Sequence, residues 1–299
     1  MEFYRVADFK ELSDQMAPNV DCEFYGAPEI MWCYATAQSN AKLMVLKSSN
    51  SLWYLRLRGS DATTYKTEGE ISSNVWLENV QYLFSRNIKH LKFVANIKPI
   101  RQFGMQAQKV PTWFLHDDWD IKSLSSSTRK KIRYAKKRFS YHEIEDEGIL
   151  LLSKLLDEWT IIAKKRHFIV NKGAYKVMLN NHHFMFKNSH LYTIKHIESG
   201  EICGFFGGYS ENAGLQQFII SQAKHNYQHN YAGEALWAFF IETFIDGKYK
   251  LANCGDTANI IKQKMGLKRL DSYKTSNMDI TQLFSSKKDK QSFGEWFNA

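Results

Sequence analysis

Hydrophobic and polar positions follow two different periods along the first third of the chain. Apolar residues at helical spacing predict three helices, the second of which has Pro28 at its start, a position that proline favours. Short runs rich in apolar and aromatic residues predict strands, two of them separated by the turn-prone Ser48-Ser-Asn-Ser51. The helices are predicted over 9–16, 29–36 and 74–84, and the strands over 41–47, 52–58 and 91–95.

The pattern is clearer after residue 145. A long amphipathic helix comes first, with Leu152, Leu155 and Trp159 on one face, and three strand-like runs follow it. Between residues 99 and 111 the pattern breaks into a loop or linker, so we predict two domains, 1–112 and 113–299. The second domain is predicted to contain helices over 149–166, 175–186, 233–245 and 258–265, strands over 191–196, 203–209, 215–221 and 250–254, and a last strand from Tyr273.

The composition is that of an ordinary globular protein. Of 299 residues, 44% are hydrophobic and 24% charged, with 4 Pro and 16 Gly, which excludes a collagenous or mainly disordered chain. No window holds about 18 uninterrupted apolar residues, and the N-terminus lacks a basic segment followed by an apolar one. The four cysteines form no CxxC pair, and His182, His183 and His190 match no metal-ligand spacing. We therefore expect a cytoplasmic protein with no transmembrane segment and no metal.

Almost all of the excess positive charge lies in one segment. The net charge is +9, and residues 122–138 contain eight Lys or Arg and no Asp or Glu. A helix is predicted here with Ser127 or Thr128 as its N-cap and a narrow apolar stripe under its basic face. The helix is either a solvated basic face or an anion site for the phosphates of a ligand. The candidate anion-binding residues are Arg129, Lys130, Arg133 and Lys137.

Two motifs resemble those of a known fold family. The segment Ser125-Ser-Ser-Thr-Arg-Lys-Lys-Ile-Arg-Tyr-Ala-Lys-Lys is similar to "S-x-x-x-R-x-x-I-R-x-A-x-K", the entry helix of Fem-type peptidyltransferases and of their cellulose-biosynthesis-type acetyltransferase relatives. Ile261-Lys-Gln-Lys-Met-Gly266 is similar to their closing "F-K-x-x-F-G". The order of elements after residue 145 also resembles that of GNAT acyltransferases. The resemblance implies a tandem GNAT-like α/β (α+β) fold, with mixed, mostly antiparallel sheets flanked by helices and a degenerate N-terminal half.

The resemblance also implies where an acyl donor would bind. In a GNAT fold, the backbone amides that open the helix after the fourth strand bind the pyrophosphate of coenzyme A. That segment is Gln228-His-Asn-Tyr-Ala-Gly-Glu-Ala235, set against the pattern Q/R-x-x-G-x-G/A. Tyr231 stands at the first glycine position and crowds a phosphate there, so the donor is left open between acyl-CoA and an aminoacyl-tRNA. The implied donor-binding residues are Gln228, Ala232, Gly233, Glu234 and Lys262.

Four candidate residues have a simpler alternative. Gly233 can be a glycine that begins a core-packed helix, and Lys262 can be a surface lysine. Asp256 is a candidate to accept the proton of the acceptor amine, or it is the N-cap of the following helix. Tyr273 is a candidate to protonate a leaving thiolate, or it is a core aromatic. Gln216 and Gln217 occupy the fourth-strand position where many GNAT enzymes carry a catalytic glutamate, so the resemblance implies no carboxylate base there, and Gln217 is the catalytic candidate on this strand.

The reaction class implied by the resemblance is N-acyl transfer to a primary amine of a small molecule, a sugar or a nucleic acid. We expect the strands over 215–221 and 250–254 to splay apart and form the donor cleft. The alternative is a catalytically idle GNAT-fold module that binds nucleic acid or another polyanion through the basic helix 122–138. These two hypotheses differ in whether the groove beside Gly233 is open. The sequence leaves the acceptor and the oligomeric state open.

Overall fold

The structure is a computed structural model that divides into two compact units. It describes residues 1–17, 27–69, 72–94, 107–144, 149–165, 171–181, 189–211, 215–223, 231–255, 260–275 and 277–284. The described residues up to Val110 and from Ser272 onward form the first unit, and those between Pro111 and Asp271 form the second.

Helices and strands alternate along the described part of the chain. In chain order they are β1 (Glu2–Arg5), α1 (Phe9–Gln15), α2 (Pro28–Thr36), β2 (Lys42–Lys47), β3 (Ser51–Arg58), β4 (Asp61–Gly69), α3 (Ser73–Ser85), β5 (His90–Phe93), β6 (Ala107–His116), a 3-10 turn (Ile121–Ser123), α4 (Ser126–Arg138), β7 (Phe139–Glu143), α5 (Ile149–Lys165), α6 (Lys172–Asn180), β8 (Ser189–His196), β9 (Ile202–Glu211), β10 (Leu215–Ala223), α7 (Ala232–Asp246), β11 (Leu251–Asn253), α8 (Ile260–Lys264), β12 (Lys268–Thr275), β13 (Asn277–Asp279) and α9 (Ile280–Phe284).

The first unit is built on a six-stranded sheet in the order β1-β2-β3-β4-β5-β13. Its pairs are antiparallel except for the parallel pair β4–β5. Alternating side chains of the sheet contribute to two separate apolar cores. On β3, Trp53 and Leu55 pack with residues of α3, whereas Tyr54 packs with residues of α1 and α2.

The second unit contains a seven-stranded sheet in the order β12-β6-β11-β10-β9-β8-β7. Strands β7 to β10 pair as an antiparallel series, and β10 then pairs with β11 in parallel. Helix α7 is apolar on nearly every side and packs against the sheet and α4. Ile132, Ala135 and Phe139 are all buried in this core, as the stripe in the sequence predicts.

Strands β10 and β11 part after three residue pairs. The pairs run from Leu215 with Leu251 to Gln217 with Asn253. Beyond them, β10 continues to Ala223 alongside β9, whereas the other chain follows β6, with the amide of Cys254 donating to the carbonyl of Trp113 at 2.8 Å. The pairing of β10 with β11 therefore stops at the carboxyl end of β11, as the predicted splay requires, while β10 continues for six more residues.

Most predicted elements are present within a few residues of their expected bounds, and three details differ. The N-cap of α4 is Ser125, whose Oγ accepts from the amide of Thr128 at 3.2 Å, so both predicted caps were wrong. Strand β12 begins at Lys268 rather than at Tyr273, because an edge strand that starts with exposed Lys, Arg and Leu side chains lacks an apolar signature. Pro111 lies within β6 and not in a loop, ahead of the residues that pair with β11.

The C-terminal part of the chain contributes to both units. Residues 277–284 form β13 and α9, and β13 pairs with β5 in the first sheet. The expected second domain, 113–299, differs from the structure in this respect, since these residues complete the core around Phe284 and α3. Among the described helices, none has both the length and the apolar character to cross a membrane.

Candidate functional site

Helix α7 begins at the edge of the sheet where β10 and β11 part. Its N-cap, Tyr231, has φ +66°, a left-handed conformation that favours glycine. This conformation gives a physical reason for the first glycine of the pattern Q/R-x-x-G-x-G/A, the position that Tyr231 occupies here. The first bond within the helix runs from the amide of Ala235 to the carbonyl of Tyr231, so the amides of Ala232, Gly233 and Glu234 precede the hydrogen-bonded ladder. Such amides, together with the helix dipole, favour an anion.

Helix α4 lies beside α7 and runs in the same direction. Lys131 pairs with Glu234 at 3.6 Å, and Lys136 pairs with Glu242, so residue numbers increase together along both helices. The ring of Tyr134 stacks on that of Tyr231, with centroids 6.3 Å apart. The N-termini of both helices therefore lie at the same end, and Lys131, which the sequence analysis left out of the anion set, is the cation nearest to the α7 terminus that these contacts define.

Five of the seven cations of α4 fall into two groups. Lys131 and Lys136 are paired with the acids of α7. Lys130, Arg133 and Lys137 are exposed, at positions i, i+3 and i+7, and form no ion pair within the described ranges. They flank Tyr134, which is 42% exposed, and the Lys130 ammonium lies 5.8 Å from the centroid of its ring. We call Lys130, Arg133, Tyr134 and Lys137 the outer stripe.

Arg129, by contrast, belongs to the local structure of the chain. Its Nη1 donates to the carbonyls of Lys122 at 2.9 Å and Leu124 at 2.8 Å, and its side chain is partly buried. These bonds fasten the 3-10 turn to the start of α4. Its position in the entry motif therefore has a structural explanation, whereas that of the outer stripe does not.

Lys262 is buried at the point where the sheet opens. Its side chain is on α8, and the residue is 4% exposed, which excludes the surface lysine of the sequence analysis. The ammonium donates to the carbonyl of Cys254 at 2.6 Å and lies 3.5 Å from that of Gly255. Burial lowers the pKa of Lys262 to about 8, against a smaller opposing effect of Cys254. At neutral pH the group still carries a positive charge, next to the carboxyl end of β11.

Gly266 explains the spacing of the closing motif. It ends α8 with φ +79°, and the amide of Leu267 donates back to the carbonyl of Lys262 at 3.1 Å. The indole of Trp119 donates to the carbonyl of Met265 at 2.7 Å. A Cβ at position 266 would lie 2.9 Å from Leu124 Cδ2 and 3.2 Å from Trp119 Nε1. Both the left-handed conformation and the close contacts therefore require glycine at position 266. The turn at Gly266 holds α8, the helix that carries Lys262, in place.

We expect Gly266→Ala to lower the free energy of unfolding by about 2 to 4 kcal/mol, from left-handed strain and from the close contacts. Gly59→Ala is the matched control, because Gly59 has φ +59° and a Cβ there would meet no atom within 4 Å. Urea denaturation of both variants separates two costs: both variants share that of the left-handed conformation, and only Gly266→Ala also has that of the close contacts. Equal losses in the two variants would contradict the role given to Trp119 and Leu124.

The first unit also contains a pair of parallel strands, β4 and β5, and the side chains at the end of this pair are of a different kind. There β4 and β5 pair as far as Thr64 and Phe93, and β4 continues with β3 as its partner. Phe93 packs against Trp53 of β3 and Trp76 of α3, with ring centroids 5.5 and 6.3 Å away. In the first unit, the end of the parallel pair is thus packed with buried aromatic rings. The second unit is the one that carries the candidate site.

The remaining predicted site residues lie partly outside the described part of the chain. Gln228 and Asp256 are outside the described residues. Gln217 forms the last backbone pair of β10 with β11, and Tyr273 lies on β12, but the side chains of both fall outside the described part. The structure brings together Ala232, Gly233, Glu234 and Lys262 at one edge of the second sheet. Helices α7 and α8 lie close together here, since a Cβ added at Gly233 would be 3.5 Å from Ile261 Cδ1.

Comparison with known proteins gives a likeness in structure. No family model matches the chain, and no curated protein is similar to it in sequence. Among solved structures, FemX is 9% identical with a TM-score of 0.62, covering 96% of this chain and 100% of that chain. The C-terminal domain of a putative lysylphosphatidylglycerol synthetase from Agrobacterium fabrum is 11% identical with a TM-score of 0.61, covering 89% and 91%.

A tandem GNAT protein from the clavulanic acid biosynthesis pathway is also similar, at 12% identity and a TM-score of 0.57, covering 93% of this chain and 98% of that chain. These likenesses extend over nearly the whole length of each protein. The predicted tandem GNAT-like fold is therefore confirmed.

Proposed function

We propose that this tandem GNAT-fold protein is an N-acyltransferase that uses the second unit as its catalytic half. The observation that carries the proposal is the parting of β10 and β11, with the open amides of α7 at the same edge and the Lys262 ammonium at the point of parting. Acyl transfer needs a binding place for an anionic donor and a positive or hydrogen-bonding group beside the reacting carbonyl. Both requirements are met at one edge of this sheet.

The parted strands supply backbone donors for the reacting carbonyl. The register of β10 against β9 shifts between Phe218 and Ile220, so Ile219 is an extra residue in a bulge beyond the last pair with β11. A bulge leaves the backbone of its extra residue out of the regular ladder. An amide there can donate to the thioester or ester oxygen as negative charge develops on it. The Lys262 ammonium adds a fixed positive charge nearby, in a site where burial strengthens its effect.

The donor's phosphates would bind at the start of α7. Ala232, Gly233 and Glu234 offer their amides, and Lys131 adds a positive charge. The carboxylate of Glu234 pairs with Lys131 and neutralises part of its positive charge. Glu234 would therefore bind the donor through its backbone amide and not through its side chain. The amides and the dipole suit the diphosphate of an acyl-CoA as well as the backbone phosphates next to the acylated 3′ end of an aminoacyl-tRNA.

The acceptor is a primary amine, on a small molecule, a sugar or a nucleic acid. Its nitrogen attacks the donor carbonyl, the carbon–nitrogen bond forms, and the thiolate or alkoxide leaves as the amine loses a proton. Asp256 directly follows Gly255, whose carbonyl faces Lys262, and remains our candidate to accept that proton. Tyr273 remains the candidate to protonate the leaving group.

Gly233→Trp should abolish binding of acetyl-CoA, because an indole at this position would collide with Ile261 and cover the α7 amides. Isothermal titration calorimetry measures the affinity directly. Gly233→Ala is the control, since its Cβ would make an ordinary contact at 3.5 Å, and it should bind as the wild type does. Gly233→Ala should unfold at the wild-type denaturant concentration. Gly233→Trp should also fold but should unfold at a lower concentration, because its indole must displace Ile261.

The calorimetry can also contradict the proposal. If Gly233→Trp binds acetyl-CoA as tightly as the wild type, the donor does not pass beside α7. If the wild type binds neither acetyl-CoA nor an aminoacyl-tRNA, and mass spectrometry with a panel of acyl-CoAs finds no acylated amine, acyl transfer is excluded.

The outer stripe favours a second candidate function, in which an idle GNAT-fold module binds nucleic acid or another polyanion. The stripe has three exposed cations without an acidic partner in the described part, around an exposed tyrosine. Like charges at this spacing repel one another, and phosphates would offset that repulsion. The exposed part of the Tyr134 ring offers an aromatic contact for a base. The idle module would bind a polyanion with no acyl transfer at all.

A further inference from the structure

Asn253 closes a tight turn at the point where β10 and β11 part. The residue is 3% exposed, and its Oδ1 accepts a hydrogen bond from the amide of Gly255 at 2.9 Å. A side-chain oxygen that bonds to the amide two residues later forms an Asx turn. The turn fits the conformation of Gly255, which has φ +80°. Asn253 thus determines the direction of the chain immediately after its last pair with β10.

This turn sets the two carbonyls that receive the Lys262 ammonium. The carbonyl of Cys254 accepts from Lys262 Nζ at 2.6 Å, and that of Gly255 lies 3.5 Å from the same atom. The carbonyl of Gly255 also accepts from the amide of Trp113 at 3.0 Å, which anchors the outer end of the turn to β6. The amide of Cys254 is likewise bonded to the carbonyl of Trp113, so the peptide group between Cys254 and Gly255 is the one in this turn that the Asn253 side chain orients.

The Lys262 ammonium also faces the Cys254 thiol beside β11 and the ring of Trp237 on α7, whose centroid lies 5.9 Å away. The carbonyl of Cys254, at 2.6 Å, accepts a hydrogen bond from the ammonium directly. Such an acceptor stabilises the protonated form of a buried lysine, which burial alone disfavours.

We propose that Asn253 is a positioning residue for Lys262: by closing the turn, it aims the carbonyl of Cys254 at the ammonium and holds the positive charge where the sheet opens. Its catalytic meaning rests on the proposed acyl transfer. The positioning itself is a property of the folded chain and can be measured without any substrate.

The test is a pH titration of the full-length protein with 13C-labelled lysine, followed by NMR. The Lys262 resonance is assigned as the one missing from Lys262→Met. Asn253→Ala should lower the pKa of Lys262 by about one pH unit, the size expected when a hydrogen bond to a charged group is weakened. Asn253→Asp keeps the acceptor for Gly255 and adds a negative charge, so it should raise the pKa above the wild-type value.

Asn79→Ala is the matched control, since Asn79 is also buried and donates to Ser51 Oγ at 2.9 Å, but belongs to the first unit. It should cost stability and leave the Lys262 titration unchanged. The proposal is overturned if Asn253→Ala leaves the Lys262 titration unchanged, or if Asn79→Ala moves it as far as Asn253→Ala does. If Asn253→Ala does not fold, Asn253→Leu, which has the same branching but no acceptor oxygen, takes its place: a lowered pKa of Lys262 supports the proposal and an unchanged or raised one overturns it.

Activity measurements separate this inference from the proposed function. Given acyl transfer, Asn253→Ala should reduce kcat more than it changes KM, and should shift the pH profile in the direction of the NMR titration. Asn253→Asp should restore most of kcat near neutral pH. An inactive wild type would exclude the acyltransferase proposal, while the NMR titrations would still decide whether Asn253 positions Lys262.

Discussion

Replacing Lys130, Arg133 and Lys137 together by Gln should weaken the binding of a fluorescein-labelled single-stranded RNA by more than tenfold at low salt. Each phosphate that the variant no longer neutralises removes about 0.7 from the slope of log affinity against log salt concentration, so the slope should fall by about 2. Fluorescence anisotropy over a series of salt concentrations measures both quantities. Stability should change little, because exposed charges contribute at most about 1 kcal/mol each.

Lys131→Gln with Lys136→Gln is the matched control for this variant. It removes two cations from the same helix, but these are paired with Glu234 and Glu242, so they contribute less to the attraction of a phosphate. The control should retain a clearly steeper salt dependence than the triple variant. Equal slopes in the wild type and the triple variant would show that the outer stripe is a solvated face, and the polyanion-binding function would lose its support.

The fold could be predicted to the extent that its elements have an apolar signature. The meander β8 to β10 and helix α7 follow directly from the sequence, because their apolar residues recur at the right periods. Strand β4, with Thr63, Thr64 and Lys66 among its residues, contains no apolar run, and its place depends on pairing with β3. Strand β13 has three residues and is defined by its pairing with β5, a contact that links residues far apart in sequence.

The motifs predicted which residues form the candidate site. The sequence did not predict the burial of Lys262 or the ion pairs of α4. The spacing from Lys262 to Gly266 is visible in the sequence, but lysine is usually exposed, so its burial could not be predicted. The division of the α4 cations depends on acids of α7, about 100 residues later, and α4 alone gives no sign of it. One signal was available and was missed: an asparagine two residues before a glycine at a strand end is typical of an Asx turn.

The stability of the protein should depend on pH through Lys262. Its pKa is about 8 in the folded chain, against 10.5 for an unperturbed lysine. Between these values the unfolded chain holds a proton that the folded chain lacks, so the free energy of unfolding rises with pH. Below pH 8 both states are protonated, and the cost of the buried charge is fully present. The difference of 2.5 between the two values corresponds to about 3 kcal/mol over this interval.

Lys262→Met removes this contribution, so the stability of the wild type minus that of the variant should increase by about 3 kcal/mol between pH 7.5 and 10.5. Urea denaturation at a series of pH values measures both proteins, and the subtraction cancels the titrations that they share. Lys264→Met is the control, because Lys264 is an exposed lysine of the same helix, and its curve should run parallel to that of the wild type. Parallel curves for Lys262→Met as well would mean that water reaches this ammonium, and a charge so hydrated would be too weakly held to stabilise an acyl-transfer intermediate.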